Sequence, residues 1–143
     1  MPIIEVESEN IPTLKTFKHV EWAEADKEHY GVVPPGFFAE YKHTLTMQEN
    51  GEIVGYITFS ACGGIGNINS ILVGKNQRRR GIASKLLSAA EDKLKAYNVH
   101  KVMLETGADW KARHVYEKQG YTVRAILPNH VFHKESVLMD KQI

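Results

Sequence analysis

Lys75, Arg78, Arg79 and Arg80 crowd the stretch LVGKNQRRRGIASKLL, directly ahead of Gly81 and the apolar pair Ile82 and Ala83. A basic loop that opens an apolar helix brings together two features that attract anions. The first N–H groups of a helix have no internal partner, and the helix dipole favours negative charge beside them. Guanidinium groups can grip phosphate oxygens in pairs. Gly81 clears the side chain from the place where an anion would meet the backbone. The chemistry such a stretch serves is the holding of a phosphate or sulfate group. The same residues also read as a soluble basic turn ending in a glycine bend, and spacing alone leaves both readings open.

Other chemistries have less to stand on. The loop lacks the glycines and the terminal Lys–Ser/Thr of a Walker loop, and the chain has no GxGxxG fingerprint. No GxSxG elbow anchors a hydrolase triad. His114, His130, His133 and Asp109 raise the question of a metal, but in a strand His130 and His133 of HVFH point to opposite faces, and no metal is expected. The lone cysteine, Cys62, has no partner for a disulfide or a thiolate cluster and reads as a small buried apolar residue.

Composition narrows the setting. The 143 residues suit one domain over 1–143, and 43% of them are hydrophobic, enough for a core. With 18 basic against 17 acidic residues the formal net charge is +1, so a basic site must be local. Neither a nucleic acid nor a membrane is expected as a partner: no basic or aromatic stripe accompanies the loop, and no long apolar run is present. With no signal peptide apparent, a cytoplasmic location is the default expectation.

The elements that must carry the loop follow from periodicity. Ile3 to Val6 reads as a first strand, and Asn10 with Pro12 as the start of a helix through Leu14, Phe17, Val20, Trp22 and Ala25. Pro34, Pro35 and Gly36 break structure before a short helix near Phe37. Thr44 to Gln48, Glu52 to Ser60 and Ile65 to Val73 read as a meander, the first turn supplied by Glu49, Asn50 and Gly51. Ile82, Ala83, Leu86, Leu87, Ala90 and Leu94 recur at helical spacing to about Tyr97. A strand at Lys101 to Glu105, a helix from Asp109 to Lys118 closed by Gly120, and strands at Tyr121 to Ile126 and Lys134 to Met139 complete the chain. The order predicts an α/β domain with a central, mostly antiparallel twisted sheet flanked by helices. Ile65 to Glu105 forms a parallel strand–helix–strand crossover in it.

Arg78 to Ala83 resembles the acyl-CoA-binding pattern Gln/Arg-x-x-Gly-x-Gly/Ala of the GCN5-related N-acetyltransferases (GNAT family). A second stretch, Asp109-Trp110-Lys111-Ala112-Arg113-His114-Val115-Tyr116-Glu117-Lys118-Gln119-Gly120-Tyr121, is similar to that family's Asn-x-x-Ala-x-x-x-Tyr-Glu-Lys-x-Gly-Phe/Tyr. Two departures are visible: Asp109 replaces the usual Asn, and Ala83 the second glycine, which the pattern tolerates. The resemblance implies a GNAT-like fold and transfer of an acetyl group from acetyl-CoA to a primary amine in a ternary complex. It implies a cofactor-binding set of Ile71, Leu72 and Val73 along the pantetheine arm, with Arg78, Arg79, Arg80, Gly81, Ile82, Ala83 and Ser84 around the pyrophosphate and Asp109 and Arg113 near the second motif. The arm is expected in a splay between the strands Ile65 to Val73 and Lys101 to Glu105. The same likeness assigns Tyr116 as the acid that protonates the departing thiolate. The residue-level alternative for Tyr116 is an aromatic packed on the sheet.

Acetyl transfer to an amine also requires a group that removes a proton. Glu105, at a strand end beside the expected cleft, is the leading candidate; Glu21, Glu28, His29, His133 and a water chain compete with it. Asn69 is placed to orient an amine or a water. The acceptor is expected to be a small-molecule or peptide amine, met by the irregular segment HYGVVPPGFFAEYKH and the acidic residues Glu21, Glu24, Asp26, Glu28 and Glu40. A homodimer through the edge of Lys134 to Met139 is a further expectation. The alternative function is a non-catalytic acyl-CoA-binding or regulatory domain of the same fold.

Overall fold

A computed structural model describes every residue from Met1 to Ile143. The chain comprises two compact units, Met1–Phe37 and Phe38–Ile143.

In the first unit Pro12 opens helix α1 (Pro12–Tyr30), because a residue without an N–H loses nothing at the first helical position. The cap is Ile11 rather than the expected Asn10, whose N–H instead bonds Ser8 Oγ at 3.1 Å. The helix ends at Gly31, whose φ of 77° only glycine adopts easily. The expected strand at Ile3 to Val6 does not form: those residues have no ladder partner, and an apolar alternation of four residues is not a strand without one. The short helix expected near Phe37 is a turn, in which Phe37 N–H bonds the Pro34 carbonyl. Pro34 and Pro35 offer no N–H to a helix.

The second unit is built on a six-stranded sheet of β1 (Tyr41–Glu49), β2 (Glu52–Cys62), β3 (Ile65–Val73), β4 (Lys101–Gly107), β5 (Thr122–Leu127) and β6 (Ser136–Gln142). The spatial order is β1-β2-β3-β4-β6-β5. Every neighbouring pair is antiparallel except β3 and β4, which helix α2 (Ile82–Lys95) connects in parallel. Helix α3 (Ala112–Lys118) joins β4 to β5. Because β6 lies between β4 and β5, it is not an edge, and it is laddered on both sides.

Helix α2 buries Ile82, Leu86, Leu87, Ala90 and Leu94 with Ile57, Phe59, Val102 and Met139 of the sheet. Close approach is what Gly66 permits: a Cβ there would lie 2.8 Å from Leu94 Cδ1. One polar trio is locked into this packing. Glu91 of α2, 6% exposed, accepts a hydrogen bond from Tyr121 Oη at 3.0 Å and one from Lys141 Nζ at 2.8 Å. A buried carboxylate needs such donors, since leaving it bare costs several kcal/mol, on the order of the effective burial penalty of an ion.

Candidate active site

The parallel pair that α2 creates is short. β3 and β4 pair only through Ile65–Lys101, Gly66–Val102 and Asn67–Met103, although the strands run on to Val73 and Gly107. Beyond Asn67, β3 keeps its ladder with β2 while its other side is free of β4. A bulge starts the divergence: Thr58 faces Ser70 and Phe59 faces Ile68, which leaves Asn69 as the extra residue. A bulge bends its strand and sharpens local twist. The expected splay is therefore present, and Ile71, Leu72 and Val73 line its β3 side. Asn69 itself donates to Ser60 Oγ at 3.4 Å, and Tyr56 Oη and Ser70 Oγ lie 2.8 Å apart beside it.

β3 delivers the chain to the basic loop. Gly74 N–H bonds the Val54 carbonyl at 2.9 Å, a single 3₁₀ turn covers Lys75–Gln77, and Arg78 is extended. Arg79 then takes φ 64° and Gly81 φ 74°, both left-handed. Alternation of this kind turns successive backbone N–H groups into one concavity, a nest suited to anions. Helix α2 opens from it with no side-chain cap and no acidic residue in its first turn, so the N–H groups of Ile82, Ala83 and Ser84 have no intrahelical acceptor. Nothing lies within 4 Å of where a Gly81 side chain would begin. These features fit a pyrophosphate.

The three arginines differ in availability. Arg80 is committed to Glu49 at the end of β1, through a two-pronged contact of 2.7 and 3.0 Å, and also donates to Gln77 Oε1. That partner holds the Glu49 carboxyl below its ordinary range by hydrogen bond and charge. Arg78 donates weakly to the Val73 carbonyl at 3.4 Å, and Arg79 has no ion-pair partner. Arg113 braces the turn into α3, donating to the Ala108 carbonyl at 3.2 Å and to Glu117 at 2.8 Å, while Asp109 is exposed on that turn. Gln119 ties α3 back to α2 through the Ser84 carbonyl and Ser88 Oγ.

Tyr116 packs on the core as the residue-level reading expects. Its ring is buried against the core and sits edge-on to Tyr121, with centroids 6.3 Å apart. Its hydroxyl, unlike that of Tyr121, has no hydrogen-bond partner and is not sealed from solvent. Burial pushes the phenol above its ordinary value, so it stays protonated and able to donate.

Glu105 lies two positions beyond Met103, on the stretch of β4 that has left β3. Leu104 and Thr106 are buried, so Glu105 points to the opposite face, where His130 Nε2 sits 2.9 Å from its Oε1. The partner was missed from sequence because His130 lies between the two expected late strands, in a connection where no local pattern says which way a side chain turns. Residues Val131–His133 form a 3₁₀ turn in which Phe132 and His133 are left-handed, as is Asn129 just ahead of it. His133, another base candidate, is engaged instead with Asn129 Oδ1 at 2.7 Å. Glu21, Glu28 and His29 lie on α1, in the first unit. Cys62 corrects another expectation: it is exposed at the end of β2, its Sγ donating to the Phe38 carbonyl, because it points to the sheet face opposite Ala61. No group of three or more His, Cys, Asp or Glu side chains is placed to hold a metal ion, and no helix is long and apolar enough to cross a membrane.

Comparison with known proteins gives this arrangement its class. Residues 5–121 match the acetyltransferase (GNAT) family. An uncharacterised N-acetyltransferase of Methanocaldococcus jannaschii is 32% identical over 107 residues, covering 73% of this chain and 69% of its own length. Among solved structures, an acetyltransferase from Bacillus cereus superposes with a TM-score of 0.73 at 16% identity, over 98% of each chain. The ribosomal-protein-S18-alanine N-acetyltransferase of Escherichia coli gives 0.65 at 20% identity, over 71% of this chain and 69% of its own. Family match, sheet order and parted strands agree, and the chain belongs to the GNAT family of acetyltransferases, which move an acetyl group from acetyl-CoA to an amine.

Proposed function

We propose that this protein acetylates a primary amine, on a small molecule or a peptide, by direct attack of the amine on the thioester of acetyl-CoA. The observation that carries the reading is the parted β3–β4 pair opening beside the uncapped start of α2. In this reading the amides of Ile82, Ala83 and Ser84, with those of the Arg79–Gly81 nest, hold the pyrophosphate, and Arg78 and Arg79 add charge. Arg80 acts at one remove, anchoring the loop to Glu49. The free backbone of Ile71 to Val73 pairs with the pantetheine arm, and an N–H there meets the oxygen on which negative charge develops.

Tyr116 donates its proton to the departing sulfur. Its unpartnered hydroxyl and burial-raised pKa suit a donor at neutral pH. The amine must also shed a proton, and the basic group at hand on the parted strand is Glu105 with His130.

The test is a calorimetric titration with acetyl-CoA, followed by CoA release over a panel of polyamine, aminosugar and peptide amines. One-to-one binding is expected, weakened at least tenfold in Gly81→Glu. Tyr116→Phe should keep that affinity while kcat falls about 10²-fold or more, the usual contribution of a positioned acid. A folded protein that binds acetyl-CoA yet acetylates nothing on the panel supports a non-catalytic acyl-CoA-binding domain instead. A folded protein that does not bind at millimolar acetyl-CoA refutes both readings.

A further inference from the structure

We infer that His130, oriented by Glu105, is the base that takes the proton from the attacking amine. The inference rests on the acetyl-transfer reading above and divides the roles within the Glu105–His130 pair. The contact is between Glu105 Oε1 and His130 Nε2 at 2.9 Å. A carboxylate oxygen has no proton to give, so at 2.9 Å the tautomer with its proton on Nε2 is favoured over one that sets a nitrogen lone pair against the anion. In the neutral ring the lone pair then lies on Nδ1, which has no hydrogen-bond partner within the chain. A carboxylate holding one imidazole nitrogen so that the other is free to take a proton is the division of labour of a carboxylate–histidine pair.

The surroundings fix the backbone that carries this ring. The His130 N–H bonds the Lys134 carbonyl at 2.8 Å, and the His130 carbonyl accepts from His133 N–H at 3.1 Å. Non-glycine residues at φ 51° (Asn129), 51° (Phe132) and 58° (His133) hold the turn in an unfavourable region. Backbone strain of this kind persists only where the surrounding structure enforces it, and it concentrates at working sites. The pair is open to an arriving acceptor, its side chains being 41% and 40% exposed, and Glu105 stands where β4 has separated from β3. Imidazole as a class takes a proton near neutral pH, where a carboxylate is a weaker base.

The step balances as follows. The amine nitrogen forms the C–N bond and the C–S bond breaks. The amine proton passes to His130 Nδ1, and the sulfur receives the proton of Tyr116. Solvent then takes the proton from His130 and returns one to Tyr116, leaving an amide and a free thiol.

His130→Gln separates the two possible bases, because a glutamine amide can still donate to Glu105 but cannot take up a proton. With the best acceptor among spermidine, glucosamine and an alanyl peptide, His130→Gln and His130→Ala should both lose about 10²–10³-fold in kcat. Acetyl-CoA affinity should be unchanged, and free imidazole should restore part of the His130→Ala rate. Wild-type kcat in His130→Gln would make Glu105 the base and overturn the assignment. Independently of any acceptor, ¹⁵N NMR of the full chain should show neutral His130 with its proton on Nε2, a preference lost in Glu105→Ala. A proton on Nδ1 in the wild type overturns the assignment even if acetylation proceeds. Absence of acetyl-CoA binding with the Nε2 tautomer present would count against the functional reading and leave the orientation by Glu105 standing.

Discussion

Lys141→Met is the perturbation that best tests how the sheet and α2 are held together behind the site. Lys141 reaches from β6 to Glu91 on α2, and its ammonium lies 5.8 Å from the centre of the Tyr121 ring. Methionine keeps the stem and its packing but removes the donor 2.8 Å from a carboxylate whose side chain is only 8% exposed. Breaking one side of a buried pair typically costs about 3–5 kcal/mol. Here the Lys141 side chain is 25% exposed, so water can reach that end, and Tyr121 still donates to Glu91. The loss should therefore fall to about 2–3 kcal/mol, the range of a hydrogen bond to a charged group. In a chain of this size that lowers Tm by about 5–10 °C. Urea unfolding followed by circular dichroism measures it, with the triple variant Glu91→Met, Tyr121→Phe, Lys141→Met as the companion. Removing every polar member should bring stability back to within about 1 kcal/mol of wild type, because the buried charge disappears together with its partners. A single-variant loss below about 0.5 kcal/mol, or a triple variant less stable than the single one, would refute the idea that an uncompensated carboxylate sets the cost.

Two further predictions concern close packing and pH. At Gly55 a Cβ would meet Ile82 Cγ2 at 3.0 Å and the Leu72 carbonyl at 3.2 Å, so Gly55→Ala should cost about 1–3 kcal/mol and weaken acetyl-CoA binding by shifting the start of α2. Gly74→Ala, with its nearest contact at 3.5 Å, should do neither, and equal effects at the two positions would contradict the steric account. Burial and the neighbouring Glu91 carboxylate push the Tyr121 phenol far up, and burial pushes Tyr116 up. A pKa raised by folding leaves stability unaffected below the unfolded value of about 10 and erodes it as pH climbs past that point toward the folded value. Alkaline melts should show this loss, smaller in Tyr121→Phe; a loss that begins near neutrality would point to other groups.

Much of the second unit was legible from periodicity. β3 begins and ends where its apolar run does, and α2 begins at Ile82, where the period changes from two to about 3.6. Local signals sufficed there because each segment buries one face against the same core. They failed at Ile3 to Val6, since strand formation depends on a partner that four residues do not specify. They were silent at HVFH, between the two late strands, where left-handed Phe132 and His133 shape a connection that no local pattern specifies.

The basic loop and the glycine at Gly81 were set by residue type and spacing alone, because helix starts and turn geometry are local properties, whereas Tyr116 was singled out only by its place in a family motif. Which arginine remains free was decided in three dimensions. Arg80 meets Glu49 only because the β1–β2 hairpin returns that carboxylate to the loop, 31 positions away along the chain. The parting of β3 from β4 and the meeting of Glu105 with His130 were decided the same way, by a bulge at Asn69 and by a turn between β5 and β6. Both depend on register between distant strands, and register is a property of the assembled sheet rather than of any one segment.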